Sequence, residues 1–126
     1  MKDSVEQKER RYDLEERLIK FAVAILEVVD LLPNTRAGNH IAGQLVKSGT
    51  SPAPNYGEAQ GAESRKDFIH KMRISLKELR ETFVWLRIIQ LRSMTKAKEK
   101  LERLLRECEE LISIFVASVK TANRNA

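Results

Sequence analysis

The chain of 126 residues is short of several features that would mark particular classes of protein. It has one cysteine, Cys108, which excludes a disulfide framework within the chain and a cysteine-rich zinc site. Its longest apolar run, Phe21 to Leu26, is six residues long, whereas a membrane-spanning helix needs roughly 20. The charged N-terminus is not followed by an apolar segment, so no secretory signal is expected. We therefore expect a soluble cytoplasmic protein.

Residues that break helices are confined to one part of the chain. All five glycines and two of the three prolines lie between residues 38 and 61, and the remaining proline is Pro33. Residues 1–32 and 62–126 contain neither type. Two long segments free of breakers thus flank one that is rich in them. No repeat or low-complexity linker interrupts this order, and we predict a single domain over residues 1–126.

The spacing of apolar residues predicts helices in both long segments. Apolar side chains recur every three or four residues from Leu14 to Leu32, from Ile69 to Leu86 and from Leu101 to Phe115. A second stripe on the first helix consists of Ile19, Ala22, Leu26 and Val29. The polar residues 92–95 separate the last two helices, and Thr95 is predicted to cap the final one. No segment alternates with period two. The predicted fold class is all-α, an antiparallel up-and-down four-helix bundle.

The second helix is the least regular of the four. Residues 36–47 carry apolar side chains at helical spacing, but Pro52 and Pro54 each remove a backbone donor. We predict a helix that kinks or ends near residues 50–54 and resumes toward Glu58. The first and last helices have doubled apolar stripes, which predict that part of their surface contacts a neighbouring subunit.

Signals for enzymatic chemistry are absent. There is no glycine-rich phosphate loop, no His-x-x-x-His pair and no Cys-x-x-Cys. His40 and His70 lack carboxylates at ligand spacing, and Asp67 before His70 is the nearest approach to the Glu-x-x-His of bundle metal sites. Cys108 lies in an apolar stripe, which favours a buried structural thiol over a nucleophile. We expect no catalytic residue, cofactor, metal or small-molecule substrate.

One row of the third predicted helix is basic and contains no acid. Advancing each core position by one residue gives Lys66, His70, Arg73, Lys77, Arg80, Val84 and Arg87. At 1.5 Å per residue the row spans roughly 30 Å. A second group of cations follows it: Arg92, Lys96, Lys98 and Lys100. The dipole of the fourth helix disfavours cations at its start, so stability does not account for them. Both groups are predicted to contact the phosphates of a nucleic acid, where counterion release supplies affinity.

Two alternatives remain at this point. In the first, acids of the first helix (Glu15, Glu16, Glu27 or Asp30) neutralise the basic row, which is then an ordinary solvated surface. In the second, the row docks an acidic protein partner. The formal charge of the chain is +5. Residues 59–95 have eight Lys and Arg against four acids, whereas residues 1–33 have six against eight. This asymmetry favours an anionic partner for the third helix.

Residues 38–89 carry several motifs that resemble a known family. They are Ser48-Gly49-Thr50-Ser51, Asn55-Tyr56-Gly57-Glu58-Ala59, Ser64-Arg65-Lys66-Asp67-Phe68-Ile69, and Lys77-Glu78-Leu79-Arg80-Glu81-Thr82 with Trp85-Leu86. These motifs resemble those of the bacterial four-helix-bundle proteins that are encoded in intervening sequences of large-subunit ribosomal RNA genes. A more distant relative of that family is the accessory variability determinant of diversity-generating retroelements.

The resemblance implies an antiparallel bundle that assembles as a ring-shaped homopentamer. It also implies a basic surface that binds nucleic acid, RNA in particular. For the alternative of an acidic protein partner, the resemblance suggests a reverse transcriptase or a ribosome-associated factor. Asn55 and Glu58 match an Asn-x-x-Glu motif of the family, and their spacing of three residues suits a polar clasp between helices rather than catalysis.

Overall fold

The computed structural model describes residues 4–125, apart from the side chains of residues 7–12. Over that part of the chain it contains helices and no strand. The helices are α1 (Val5–Asp30), α2 (Arg36–Thr50), α3 (Pro52–Gln60), α4 (Arg65–Leu91) and α5 (Lys98–Arg124). The all-α prediction is confirmed.

The second and third helices form one continuous rod. Ser51 joins them with a helical backbone, at φ −62° and ψ −37°. Its N–H donates to the carbonyl of Lys47, and the N–H of Asn55 donates back to the carbonyl of Ser51. The helix predicted to kink or end near residues 50–54 therefore continues through them. Its backbone lacks only the two hydrogen-bond donors that Pro52 and Pro54 cannot supply.

The four rods pack in a square in which chain neighbours lie side by side. The α2/α3 rod packs against α1 and α4, α4 packs against α5, and α5 closes onto α1. No backbone contact joins α1 to α4 among the described residues, so these two helices occupy opposite corners. Because the connections are short, consecutive rods are antiparallel, and α1 and α4 run in the same direction. This confirms the predicted bundle.

The core is a continuous apolar seam along the bundle axis. Its largest fully buried side chains include Leu18, Ile25, Leu45, Met72, Leu79, Leu86, Leu111 and Phe115. Cys108 is also fully buried, with its Sγ 3.3 Å from the carbonyl oxygen of Leu79. Burial raises the pKa of the Cys108 thiol to about 12, so its thiolate is scarcely populated at neutral pH. The prediction of a buried thiol is confirmed.

Side-chain caps fix the start of two helices, but the predicted cap of the last helix is wrong. Thr35 accepts a hydrogen bond from the N–H of Gly38 at 3.0 Å, and Ser64 caps α4 in the same way. Ala97, not Thr95, precedes the first residue of α5, and it supplies no side-chain cap. The hydroxyl of Thr95 instead accepts the N–H of Ala97 at 3.2 Å, which closes a short turn ahead of the helix.

Candidate nucleic-acid interface

The basic row predicted on the third helix lies on the outer face of α4. All six of its cationic or imidazole side chains are exposed: Lys66, His70, Arg73, Lys77, Arg80 and Arg87. The buried residues of α4, such as Met72, Leu79 and Leu86, lie on the other side of the helix. We call these six residues the basic face. It runs along most of the length of α4, so its side chains are available to a partner outside the bundle.

Among the described side chains, no acid forms an ion pair with the basic face. The ion pairs between described side chains join Arg17 to Glu107 and Glu110, Lys71 to Glu58, and Lys100 to Glu27. None of them involves the basic face. Because α1 lies at the corner opposite α4, its acids are on the wrong side of the bundle to reach this row. Among the described side chains, the first helix therefore forms no ion pair with the basic face, whereas the alternative of an ordinary solvated surface stays a prediction.

The N-terminal end of the basic face opens into a cleft. The cleft has a volume of about 550 Å³ and lies between α4 and the end of α5. Its lining consists of Arg65, Lys66, Ile69, His70, Arg73 and Asn123. Two guanidinium groups and an ammonium group thus line one concavity between the N-terminus of α4 and the C-terminal end of α5, whose dipoles act in opposite directions. The guanidinium group of Arg65 also donates to the backbone carbonyl of Ala122 at 3.4 Å. Guanidinium groups bind phosphate oxygens in a two-pronged geometry, so this arrangement suits a phosphate.

The second predicted group of cations lies at the other end of the bundle. Arg92, Lys96 and Lys98 are exposed there, as expected. Lys100 differs, because its side chain is half-buried and its Nζ lies 3.0 Å from a carboxylate oxygen of Glu27 on α1. That contact satisfies the ammonium group within the chain. Lys100 is therefore the member of this group that forms an ion pair among the described side chains, and the phosphate-binding role of all four cations stays a prediction.

The predicted clasp between Asn55 and Glu58 is half right. Glu58 reaches across to α4, where a carboxylate oxygen lies 3.5 Å from the Nζ of Lys71. Asn55 instead donates to the carbonyl and hydroxyl of Ser51, one turn earlier on its own rod. It thus supports the backbone beside the two prolines. Only Glu58 joins two helices.

One carboxylate behind the basic face is poorly solvated. Glu78 is half-buried, and its Oε2 has no hydrogen-bond donor in the part of the chain that the structure describes. Burial raises the pKa of the Glu78 carboxyl, and the negative charge of Glu81 raises it further. Lys77 and Lys47 act in the opposite direction without cancelling these effects. The ionised carboxylate therefore opposes folding at neutral pH.

Replacing Glu78 by glutamine is expected to stabilise the protein at pH 7, by a few tenths to about 1 kcal/mol. The folded state of the native chain holds this proton more tightly than the unfolded state. Its stability therefore falls as pH rises from the ordinary glutamate range through the raised pKa, and the full cost is present above it. Thermal melts at pH 7 and pH 4 test this, since the advantage of E78Q should shrink at the lower pH. An advantage that is equal at both pH values would contradict the assignment.

Two stripes of exposed apolar side chains were missed or only partly anticipated. On α4, Val84, Ile88 and Leu91 are exposed at spacings of four and three residues. On α1, Ile19, Val23 and Leu26 are exposed at the same spacings. Only Ile19 and Leu26 belonged to a predicted stripe. The signal in the sequence was the set of apolar residues left over once one core stripe per helix had been assigned.

The expected free stripe on the last helix does not exist. Leu105 and Val119 are buried and Ile112 and Val116 are half-buried, so the second stripe of α5 is used within the bundle. None of the exposed large apolar residues that the structure describes belongs to α5. The prediction that this helix offers an apolar surface to a neighbour is therefore wrong.

Neither a metal centre nor a membrane span is found in the described residues. No three or more His, Cys, Asp or Glu side chains of that set are grouped so as to hold a metal ion. Within residues 4–125, no helix combines the length and apolar character that crossing a bilayer requires.

Comparisons with known proteins identify the family. The fold is similar to the crystal structure of a protein of unknown function from the S23 ribosomal protein family of Bacteroides thetaiotaomicron VPI-5482, with a TM-score of 0.76 and 32% sequence identity. The match covers 85% of this chain and 98% of that one. A search of curated proteins finds no match. The sequence model of the 23S rRNA-intervening sequence proteins matches residues 10–117. Because that match spans most of the chain, the protein belongs to the 23S rRNA-intervening sequence protein family.

Proposed function

We propose that the protein is a non-enzymatic, oligomeric, nucleic-acid-binding protein of the cytoplasm that contacts RNA through the basic face of α4. The observation that carries the proposal is the state of that face. Its cations are exposed over roughly 30 Å, and none of them forms an ion pair among the described side chains. A phosphate backbone is a ligand of matching length and charge.

The geometry favours contact with the backbone over recognition of bases. Trp85 and Phe83 are half-buried, and neither lies on the basic face. The ring of Trp85 instead packs edge-on against His40, with 6.0 Å between ring centroids. Aromatic platforms for stacking bases are therefore absent from the described part of this face. Binding is expected to tolerate many sequences and to weaken steeply as salt rises.

Assembly supports the same function. The stripes on α1 and α4 are rows of apolar side chains that the bundle leaves exposed, and contiguous apolar surfaces often mark contacts. An oligomer repeats the basic face, so several weak phosphate contacts add through avidity. The family resemblance alone suggests five copies. The family name adds large-subunit ribosomal RNA as the first RNA to test.

A double charge reversal tests the assignment of the surface. K66E/R73E removes two exposed cations that line the cleft at the start of α4. The matched control is R103E/R106E, which reverses two exposed arginines on α5 and changes the net charge equally. Binding of labelled single-stranded RNA at about 0.1 M salt should weaken about 10- to 100-fold in K66E/R73E, with a shallower salt dependence. The control should change little.

Equal losses in both variants would show that only net charge matters and would refute the basic face as the site. Unchanged binding in K66E/R73E would refute it as well. A third result would favour the acidic protein partner. In that case the native chain would not shift labelled RNA, whereas a partner captured from lysate would survive nuclease treatment and be lost with K66E/R73E.

A further inference from the structure

The cleft at the start of α4 is lined almost entirely by hydrogen-bond donors. Five of the six described side chains that line it carry N–H groups: Arg65, Lys66, His70, Arg73 and Asn123. The sixth is Ile69, which is 8% exposed and forms the buried wall. No carboxylate is among the described residues that line the cleft. This concavity of about 550 Å³ is therefore suited to an anion.

Two of these donors distinguish the cleft from the rest of the basic face. Lys66, His70 and Arg73 belong to the row of exposed side chains that continues along α4. Arg65 and Asn123 are outside that row, and Asn123 belongs to the end of α5. Donors thus line the cleft from two helices, whereas the remaining cations of the basic face lie on α4 alone.

Arg65 is held in place by the neighbouring helix. One of its terminal nitrogens donates to the backbone carbonyl of Ala122 at 3.4 Å. Ala122 lies in the last turn of α5, where carbonyls lack partners within the helix. Because a guanidinium group has five N–H donors, this contact leaves most of them for a ligand. The contact also fixes the side chain beside the cleft, which lowers the conformational entropy lost on binding.

Acids do not compete for these groups among the described side chains. No ion pair of that set contains Arg65, Lys66, His70 or Arg73. An anion that enters the cleft therefore displaces no carboxylate from them. The three permanent cations also lie within about 12 Å of helix, so they repel one another, and a bound anion relieves this repulsion.

The arrangement of donors favours one of the two kinds of phosphate in a nucleic acid. A phosphodiester within a strand carries a single negative charge, which one row of cations on one helix can match. A phosphomonoester at a strand end carries roughly −1.5 to −2 charges at pH 7 and has three acceptor oxygens. Donors that converge from two helices match this larger charge and the additional oxygen.

The cleft also lies where a strand end can reach it while the strand stays on the basic face. Arg65 is the first residue of α4, so the cleft is at one end of the bundle. From Arg73 the basic face continues to Arg87, a distance of about 21 Å along the helix. A strand that ends in the cleft can thus place its next phosphates along this length.

We infer that the cleft binds a phosphomonoester, and that in a complex with RNA this group is the terminal phosphate of the strand. This inference rests on the RNA binding proposed above and names the part of the RNA that the cleft receives. RNA ends that carry a phosphate therefore bind more tightly than ends that carry only hydroxyl groups. A free nucleoside monophosphate presents the same chemical group, so the experiment includes one.

The test compares one single-stranded RNA sequence with a 5′-phosphate, with a 3′-phosphate and with hydroxyl groups at both ends. A terminal phosphate on at least one end should strengthen binding to the native chain about 5- to 30-fold at about 0.1 M salt. N123D places a carboxylate in the cleft and leaves α4 unchanged, and it should reduce this gain to less than about twofold. K66E/R73E should do the same. S113D adds the same charge at an exposed position of α5 outside the cleft, so it should keep the native gain.

Equal affinities of the native chain for the three RNAs would overturn the inference, as would a gain that persists in N123D or one that S113D also loses. Weaker RNA binding by K66E/R73E is compatible with all of these results, so the proposed function stands or falls separately. Uridine 5′-monophosphate, measured by calorimetry, represents the free ligand. If it binds as tightly as the phosphorylated RNA and N123D abolishes its binding, the strand end is refuted as the occupant in favour of a free nucleotide. Circular dichroism melts verify that each variant folds.

Discussion

Replacing Gly38 by alanine is expected to destabilise the protein by about 2–4 kcal/mol, although alanine is the better helix former. Gly38 lies in the first turn of α2, where a Cβ would sit 2.0 Å from the carbonyl oxygen of Pro33. That oxygen belongs to the backbone of the turn between α1 and α2. Relieving the clash would move Thr35, whose hydroxyl accepts the N–H of Gly38. The turn and the cap therefore cannot both be kept.

Gly43 provides the matched control, because it belongs to the same helix and a Cβ there meets nothing within 4 Å. G43A is expected to stabilise the protein by about 0.5–1 kcal/mol, because alanine has the higher helix propensity and lowers the conformational entropy of the unfolded chain. Thermal or urea melts of the two variants should thus move in opposite directions from the native chain. Shifts of the same sign would show that contact with Pro33 is not what requires glycine at position 38.

Replacing Gly49 by alanine is expected to cost about 1–3 kcal/mol for a different reason. A Cβ at this position would lie 2.7 Å from both Cγ1 and Cγ2 of Ile25 on α1. Ile25 is fully buried, and its branched side chain has one strongly preferred rotamer in a helix. To admit the methyl group, α1 and α2 would have to move apart at the contact between Gly49 and Ile25.

The partner of Gly49 can be tested by removing it. I25A alone should cost about 2–5 kcal/mol, because it leaves a cavity in the core. In the double variant the added methyl occupies part of that cavity, so G49A/I25A should be at least about 1 kcal/mol more stable than the sum of the single changes predicts. Urea denaturation of the four proteins measures this coupling. Strictly additive changes would contradict the close contact between the two residues.

The fold was predictable because the relevant signals are local and agree with one another. Apolar spacing of three and four residues over long segments without glycine or proline allows little but helices. The basic face was predictable for a related reason, since residues one position beyond each core residue of α4 form a row along the helix whatever the other helices do. Its exposure follows from the same helical geometry.

The contacts between helices were not predictable, because they depend on which rods become neighbours. Nothing in the sequence places Glu27 beside Lys100 rather than beside the basic face. The prediction that Thr95 caps α5 was wrong for another reason. A threonine hydroxyl can cap a helix or close a short turn with the N–H two residues on, and Thr95 does the second. The stripe of Val84, Ile88 and Leu91 was not predictable either, because Val84 is also a member of the basic row.

The order of the rods around the bundle has a consequence for the kinetics of folding. Each rod packs against the next one along the chain, and the contact of α5 with α1 joins the parts of the sequence that lie farthest apart. Chains dominated by such local contacts fold in microseconds to milliseconds. The encounter of two copies is instead a second-order process whose rate depends on protein concentration. After dilution from denaturant, the burial of Phe115 and Ile25 should therefore be complete in a phase independent of concentration. Association into the proposed oligomer would then appear as a separate, slower phase whose rate rises with protein concentration.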